Sequence, residues 1–252
     1  MHSGIYRIAE KNIAINTLFE TTHVLCRDYA AADDAPVDFT VEITQADIDN
    51  ERTKSAEEDK IEGLPMRHFS DEYLETLAVY RKICLKMLDF GTFLFHGSAV
   101  AVDGQTFLFT AKSGTGKSTH TRFWRELFGE RAVMVNDDKP LIHVCEDGNV
   151  LVYGTPWNGK HNLDTNTSVP VRGICCLERD TENHIVPVSR SDAYPRLLRQ
   201  IYRPTGTEEM LLTLKMIDRI LETVPCYLLG CNMDPDAARV SYEGMKNGNT
   251  DL

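Results

Sequence analysis

The chain contains the stretch Thr106-Phe-Leu-Phe-Thr-Ala-Lys-Ser-Gly-Thr-Gly-Lys-Ser118, followed by the helical sequence 119–128 and then by Gly129. An apolar run, a glycine-containing loop and a helix in this order are typical of polyphosphate binding, because backbone N–H groups at a helix N-terminus point at the anion. The pattern matches the phosphate-binding loop except that Ala111 replaces its first glycine. The sequence therefore predicts a strand over 106–110, a phosphate-binding loop over 111–118 and a helix behind it.

The loop supplies the groups that a nucleoside triphosphate requires. We expect Gly114 and Gly116 to allow close approach of the backbone, Lys117 to neutralise the β- and γ-phosphates, and Ser118 to place its hydroxyl on a magnesium ion. The predicted cofactors are therefore ATP and Mg²⁺. The predicted nucleotide-binding residues are Ser113, Gly114, Thr115, Gly116, Lys117, Ser118 and Thr119. The alternative is a glycine-rich turn with a solvated lysine, which the flanking strand and helix disfavour.

Two carboxylates follow another apolar run. Residues 132–135 predict a strand, and Asn136, Asp137 and Asp138 come directly after it. Adjacent carboxylates at a strand end near magnesium suit metal coordination and general-base catalysis. The alternative is an Asn-Asp turn without chemistry. Upstream, His96 follows a short apolar run, where a lone histidine is more often structural than catalytic.

The rest of the C-terminal part predicts one mixed sheet with helices. Short apolar runs bounded by glycines are typical of strands, and Asp-Gly pairs at 103–104 and 147–148 predict antiparallel hairpins. Further predicted strands cover residues 93–95, 99–102, 151–153, 173–177 and 226–230. Helical patterns cover residues 191–202, 208–223 and 234–245.

The N-terminal part has a different pattern. Residues 5–15 and 38–43 place apolar side chains at alternate positions, which predicts two half-buried strands. Residues 45–62 are highly charged without a sustained apolar stripe, so they are a solvated helix or a loose connection, and we treat them as a linker. A further helix is predicted to begin at Ser70 and to end at Gly91.

These patterns together predict an α/β protein with two domains. The first, residues 1–69, is a small β-rich α+β unit with the charged linker. The second, residues 70–252, is a catalytic domain built on the phosphate-binding loop.

The composition excludes several classes of partner. The chain has 252 residues, with 38 acidic and 27 basic side chains and a net charge of −11. A surface of this sign repels nucleic acids and anionic membranes. No apolar run approaches the roughly 20 residues of a membrane span. The start of the chain lacks a secretory signal, and seven cysteines without a metal-binding pattern predict reduced thiols and a cytoplasmic location. An oligomer is left open.

Four segments carry a shared signature. They are Phe-His-Gly at 95–97, Ser-Gly-Thr-Gly-Lys-Ser at 113–118, Asn-Asp-Asp at 136–138 and Val-Arg-Gly-Ile at 171–174. Together they resemble the catalytic domain of HPr kinase/phosphorylase and its shorter relatives, a family that shares its core with phosphoenolpyruvate carboxykinase. The resemblance implies a mixed-sheet P-loop kinase core.

The resemblance also implies roles for the site residues. Lys117 would hold phosphates, and Ser118 and Asp138 would hold magnesium. Asp138 would also accept the proton of an attacking hydroxyl, His96 would orient the acceptor and the phosphoryl group, and Asp137 would assist. The chain departs from the family at Pro170, where a glutamate usually contributes to the metal site. Nothing before Thr92 looks like the family's regulatory domain, so we expect an acceptor other than HPr.

Candidates for acceptor binding follow the second hairpin. Trp157 offers an apolar wall, and the other predicted substrate residues are Asn158, Lys160, His161, Arg172 and Arg203. An ordinary Pro/Gly loop over 154–161 is an equal alternative. Arg196, Arg199 and Arg203 are spaced for one helical face, which usually means solvated charge, although Arg203 is placed to reach the transferred phosphate.

The sequence as a whole predicts a magnesium- and ATP-dependent kinase that transfers the γ-phosphoryl group to a hydroxyl. The acceptor is expected to be a small polyol or hydroxy acid, or else a serine on a peptide or carrier protein. The alternative from another class is a nucleotide-dependent switch or ATPase that binds a partner protein through its N-terminal unit. Decarboxylating carboxykinase chemistry is disfavoured because the chain is too short and further ligands are missing.

Overall fold

A computed structural model describes residues 1–63, 65–112 and 114–246. The chain divides into two compact units, residues 1–86 and 87–252. The sequence places the division at 69/70, so the two boundaries differ by the helix that follows residue 70. Each unit is described by itself below.

The first unit combines a small sheet with helices. Strands β1 (His2–Ile8) and β2 (Lys11–Thr17) form an antiparallel hairpin, and β3 (Phe39–Glu42) pairs with β2 in parallel. The helices of this unit are α1 (Thr21–Leu25), α2 (Gln45–Glu62) and α3 (Asp71–Met87). Residues 5–15, predicted as one strand, are therefore two strands joined by a turn.

Helix α3 belongs to the first unit because its side chains bind there. The Glu75 carboxylate is fully buried and accepts the backbone N–H groups of Leu18 and Phe19 at 2.6 and 3.1 Å. Arg81 forms a two-pronged ion pair with the buried Glu51 of α2. These contacts tie α3 to the small sheet and to α2, which explains why the boundary follows this helix.

Helix α2 forms where we assigned a linker. The Asp47 carboxylate accepts the backbone N–H of Thr44 at 2.9 Å, and Gly63 adopts φ +67° after the last turn. These are an N-terminal and a C-terminal helix signal, respectively. The helix buries Ile48 together with the charged side chains of Glu51 and Asp59, so its sequence shows no sustained apolar stripe. The solvated helix, the first of the two alternatives, is the structure observed.

The second unit contains one mixed sheet. In its described part, nine strands pair, seven of them in the order β4-β8-β9-β10-β6-β5-β7, while β12 pairs with β10 and β11 with β12. The strands are β4 (Thr92–Leu94), β5 (Ser98–Val102), β6 (Gln105–Thr110), β7 (Ala132–Asn136), β8 (Leu141–Val144), β9 (Val150–Tyr153), β10 (Ser168–Arg179), β11 (His184–Val188) and β12 (Cys226–Cys231). The prediction of an α/β protein with antiparallel pairs mixed into the sheet is confirmed.

Strand β10 takes part in two different pairings. Its first residues, 168–170, pair antiparallel with β9, and the residues after them pair in parallel with β6 and β12. The register shifts between Val171 and Gly173, where the strand changes neighbours. Parallel pairing brings the carboxyl ends of β6, β10 and β12 to one edge of the sheet.

Helices cover both faces of this sheet. They are α4 (Lys117–Phe128), α5 (Arg190–Leu198), α6 (Thr207–Thr223) and α7 (Asp236–Lys246). Leu108 and Ile174 pack in one core cluster with α5 and α6, whereas their neighbours Phe109 and Cys175 pack in another with α4 and α7. This alternation follows from the two-residue period of a strand. Truncating a side chain such as Phe109 to alanine would cost about 3–5 kcal/mol.

The turns largely follow the sequence signals. At Asp103-Gly104, β5 and β6 form a tight hairpin in which both turn residues have positive φ, +51° and +76°. Strands β8 and β9 are joined through Asp147-Gly148. Within the described residues, none of the helices has both the length and the apolar character of a membrane span.

Candidate active site

The phosphate-binding loop joins the end of β6 to the start of α4. Gly114 and Gly116 have φ of +76° and +125°, and a Cβ built at either position meets no atom within 4 Å. The glycines are therefore required by the backbone conformation, and the space beside them is open. Ser113, predicted to bind nucleotide, lies outside the described residues.

The loop is held from within and from outside. The Thr115 N–H donates to the Lys112 carbonyl at 3.1 Å, and the His120 N–H donates to the Gly116 carbonyl at 2.9 Å. From the end of β10, the Arg179 guanidinium donates to the Gly114 carbonyl at 2.7 Å. The N–H groups of the first turn of α4, at Lys117 and Ser118, have no partner within their own helix. They are available to an anion.

Lys117 is a partly buried cation next to the loop. Its Nζ lies 3.4 Å from the Ala111 carbonyl oxygen, a weak contact for an ammonium group. Burial lowers the pKa of Lys117, and the charge of Lys139 lowers it further, while Asp138 opposes both. The charge of Asp138 therefore favours the protonated form of Lys117. An anionic ligand beside the ammonium would likewise offset the free-energy cost of burying it.

Asp138 is the centre of a charged cluster. His96 Nε2 lies 3.3 Å from its Oδ1, and the Lys139 ammonium binds its Oδ2. Burial by itself raises the pKa of Asp138, but the hydrogen bond from His96 and the charge of Lys139 outweigh it and hold the pKa well below its usual range. Asp138 is therefore ionised at physiological pH. The structure brings together His96, Lys117 and Asp138, three residues that the sequence assigns to catalysis.

Asn136 fixes the backbone that carries both carboxylates. Its side chain is fully buried, and its Nδ2 donates to the carbonyls of Thr155 and Trp157 at 3.0 and 3.2 Å. Its Oδ1 accepts the N–H groups of Asp138 and Lys139 at 2.9 and 2.6 Å. The Asn-Asp turn is thus present, and its hydrogen bonds fix the backbone at Asp138 and Lys139.

Asp137 lies in a separate environment from Asp138. Only 4% of its surface is exposed, and burial raises its pKa even though the Gly159 N–H donates to its carboxylate. It lines a cavity of about 520 Å³ together with Ser118, Lys160 and His161. The carboxylate that shares a cavity with the Ser118 hydroxyl is therefore Asp137.

The other predicted acceptor residues are scattered. Trp157 is 4% exposed, so its ring contributes to the interior, and the Asn158 amide binds Asp164. Arg172 donates to the Lys246 carbonyl at 2.8 and 3.2 Å and so holds the end of α7. Arg203 is exposed and follows a segment, 200–202, whose backbone bonds to residues 94–96. Of the predicted acceptor residues, Lys160 and His161 line a cavity together with the predicted catalytic residue Asp137.

Two basic residues of the site were not predicted from sequence. Lys139 follows Asp138 directly, and its position beside a carboxylate at a strand end was the available signal. Arg179 ends β10, and the parallel pairing of β6 with β10 brings this end next to the loop. That signal depends on the strand register, which the sequence does not reveal.

The residues present fit a magnesium ion that is shared with a nucleotide. Within the described ranges, no group of three or more His, Cys, Asp or Glu side chains is arranged to hold a metal by itself. Magnesium is usually bound through one or two carboxylates together with substrate phosphates. Ser118 and Asp137 line one cavity, and Asp138 is ionised nearby, which satisfies that requirement.

Comparisons with known proteins give a matching family model and distantly similar solved structures. The solved HPr(Ser) kinase/phosphatase from Coxiella burnetii is 12% identical, covers 61% of this chain and 98% of its own, and has a TM-score of 0.33. A similarity this low carries no conclusion about fold or function. No curated protein sequence matches the chain significantly. Residues 66–235 match the family model described as SynChlorMet cassette protein ScmC, and the chain is therefore a member of that family.

Proposed function

We propose that this protein is a magnesium- and ATP-dependent kinase that transfers the γ-phosphoryl group to a hydroxyl acceptor. One observation carries the proposal: the phosphate-binding loop, with Lys117, lies beside an ionised carboxylate, Asp138, that contacts His96. The Thr110 hydroxyl at the end of β6 donates to the His96 carbonyl at 3.0 Å, and the Gly97 N–H donates to the Asp138 carbonyl at 3.0 Å. These bonds connect the loop, the histidine and the carboxylate directly.

The loop would bind the triphosphate through its backbone and one cation. Gly114 and Gly116 leave open space at the N-terminus of α4, where N–H groups and the helix dipole favour negative charge. Lys117 would neutralise the β- and γ-phosphates, which also relieves the cost of its own burial. Thr115, between the two glycines, and Thr119, in the first turn of α4, belong to the same predicted nucleotide-binding set.

Asp138 would position the acceptor hydroxyl. The acceptor oxygen forms a bond to the γ-phosphorus, the bond from that phosphorus to the β,γ-bridging oxygen breaks, and ADP leaves. The hydroxyl proton passes to Asp138. Because the transition state of phosphoryl transfer is loose, the nucleophile needs orientation more than a strong base. An ionised carboxylate with a depressed pKa suits that task, and His96 would orient the same oxygen.

Magnesium would be held beside the phosphates by side chains of this chain. Ser118 and Asp138 are the ligands expected from sequence, and the shared cavity adds Asp137 as a third. When bound, the ion supplies neutralisation of the phosphate charge. Pro170 pairs with Leu151 in the sheet and offers no carboxylate, so Asp137 would take over the task of the glutamate that is usual in the HPr kinase family.

The proposal also covers the cell compartment and the class of acceptor. All seven cysteines are free of disulfides, which agrees with a reducing compartment such as the cytoplasm. The acceptor is a small hydroxyl compound or a serine on a peptide or protein.

Incubation with Mg-ATP tests the reaction class. The purified protein is supplied with hydroxyl compounds and serine peptides, and ADP, free phosphate and phosphorylated product are measured together. We expect ADP and phosphorylated product in equal amounts with one acceptor class. If ADP appears only with an equal amount of free phosphate for every acceptor, the protein is a nucleotide-dependent ATPase or switch. If calorimetry registers no binding of ATP or GTP, the assignment of the loop itself is wrong.

A further inference from the structure

A second cavity lies beside the phosphate-binding loop, on the side of α5. It measures about 730 Å³, and we name it the arginine cavity after its basic lining. The residues used below are Thr110, Lys112, Arg179, Arg196, Arg199 and Gln200. Four of these six are basic, whereas Glu178 is the acidic side chain of the lining. A cationic cavity is notable in a chain whose net charge is −11.

The basic residues come from three separate elements. Lys112 belongs to the loop, Arg179 ends β10, and Arg196 and Arg199 lie at the carboxyl end of α5. A basic residue at the end of a helix is ordinary, because it interacts favourably with the helix dipole. That effect does not explain why cations from a loop and a strand end converge on the same space. Convergence of this kind is what recognition of an anion requires.

The basic side chains of the cavity differ in whether they already bind another group of the protein. Arg196 forms an ion pair with Glu178 at 2.6 Å, and Arg179 donates to the Gly114 carbonyl. Arg199, by contrast, is exposed and has neither an ion pair nor a side-chain hydrogen bond with any residue in the described part of the chain. Its guanidinium carries donors in a fixed fork that matches a carboxylate or a phosphate group. Arg199 is thus the free anion-binding group of the cavity.

The cavity adjoins the reacting centre through the backbone of His96. The Thr110 hydroxyl donates to the His96 carbonyl at 3.0 Å, and the His96 N–H donates to the Gln200 carbonyl at 2.6 Å. Thr110 and Gln200 both line the arginine cavity. A molecule in this cavity therefore lies next to the residue that contacts Asp138.

We propose that the phosphoryl acceptor is itself an anion, a hydroxyl compound bearing a carboxylate or phosphate group that Arg199 binds in the arginine cavity. This inference rests on the proposed kinase activity, and it adds the substrate class. Arg199 is a specificity residue here, and Arg196 and Lys112 supply further positive charge. Neutral polyols, which lack the anionic group, would be poor acceptors.

Calorimetry on three related compounds tests this proposal. The protein is first saturated with Mg-ADP so that the loop is occupied, and is then titrated with glycerol, D-glycerate or sn-glycerol 3-phosphate. These share a hydroxyl-bearing skeleton and differ in the anionic group, so they also separate carboxylate from phosphate recognition. We expect one or both anions to bind at millimolar concentration and glycerol not to bind.

Two variants identify the site of binding. Arg199→Gln should weaken binding of the anion at least tenfold, and Arg199→Lys should recover part of the loss. Arg190→Gln is the matched control, because Arg190 begins the same helix and its replacement changes the net charge equally. Arg199 is exposed, so its replacement leaves the core intact.

Three results would overturn the proposal: no binding of either anion, equal binding of glycerol, or equal effects of Arg199→Gln and Arg190→Gln. The separate titration with ATP reports on the loop. If anions bind through Arg199 but ATP does not bind at all, the kinase assignment fails while the anion site stands.

Discussion

His96 and Asp138 meet at 3.3 Å, from Nε2 to Oδ1, although each follows a different strand region. The antiparallel pairing of β5 with β7 aligns Ala99 with Asn136 and so brings the two side chains together. Lys139 binds the other oxygen of Asp138. Because both carboxylate oxygens are held, Asp138 keeps one orientation toward the space beside the phosphate-binding loop. This relationship makes Asp138 the first residue to test.

Asp138→Asn should reduce turnover without loss of nucleotide binding. The amide keeps the size of the side chain but cannot take the proton of the acceptor. We expect kcat to fall by about 10²- to 10⁴-fold, the usual contribution of a positioned acid or base. The affinity for ATP without magnesium, measured by calorimetry, should stay within about threefold of the wild type. An unchanged kcat would remove Asp138 from this role.

Lys117→Ala should abolish phosphoryl transfer and weaken ATP binding. A hydrogen bond to a charged group contributes about 1.5–3 kcal/mol, so we expect the Kd for ATP to rise about 10- to 100-fold. Lys215→Ala is a suitable control because Lys215 is an exposed lysine on α6. Its Kd should not change. Wild-type turnover in Lys117→Ala would show that the loop does not hold the phosphates.

Two glycine replacements should separate function from stability. At Gly116, φ is +125° and a Cβ would meet no atom, so Gly116→Ala strains only the loop backbone, by about 1–3 kcal/mol. At Gly154, a Cβ would lie 1.9 Å from the Thr165 carbonyl oxygen and 2.7 Å from that of Val135. Gly154→Ala therefore requires a shift of two backbone segments.

The expected outcomes of these two variants are opposite. Gly116→Ala should weaken ATP binding, measured by calorimetry, and lower the melting temperature less than Gly154→Ala does. Gly154→Ala should lower the melting temperature by several degrees, since about 1 kcal/mol corresponds to about 2–4 °C in a protein of this size. Equal melting temperatures for the two variants would contradict the close packing of Gly154 against the backbone of Thr165 and Val135.

His120 should make the protein sensitive to acid. Its side chain is buried, its Nε2 accepts the Trp124 indole N–H at 3.1 Å, and burial lowers its pKa from 6.5 to about 3. Below pH 6.5 the unfolded chain takes up a proton that the folded protein excludes. The stabilisation by neutral His120 is therefore complete above pH 6.5 and is lost as the pH falls toward 3.

Urea unfolding at pH 7 and pH 5 measures this effect. Between these values the wild type should lose about 2 kcal/mol more unfolding free energy than His120→Gln, in which the titrating ring is absent. The carboxylates are the same in both proteins and cancel in the comparison. If both proteins lose the same unfolding free energy between pH 7 and pH 5, the His120 ring is protonated in the folded protein as readily as in the unfolded chain.

The sequence predicts the local parts of this fold well. The strand over 106–110, the loop and the helix to residue 128 match β6 and α4 closely, because strand, glycine and helix signals all lie within one short segment. Strands β8 and β11 were not predicted. β11 contains Pro187 and three exposed side chains, so it presents no clear apolar pattern, whereas β8, with the sequence Leu-Ile-His-Val, is a short apolar run interrupted by His143.

The site was predictable only where its residues belong to a motif. The roles of Lys117, Ser118 and Asp138 remain predictions, but the motif placed these residues in one region of the structure. The positions of Arg179 and Arg199 depend on the register of β10 and on the packing of α5. Such non-local geometry leaves no trace in residue spacing. Trp157 was predicted as a wall of the acceptor site because it is a rare aromatic residue in a polar loop, but its side chain is buried in the interior.

The dual pairing of β10 limits how the second unit can move. Strand β10 is hydrogen-bonded to β9 at its start and to β6 and β12 afterwards. The two parts of the sheet therefore cannot move apart without breaking hydrogen bonds between β10 and its neighbours. The sheet therefore gives the segments that leave its strand ends a fixed set of anchor points.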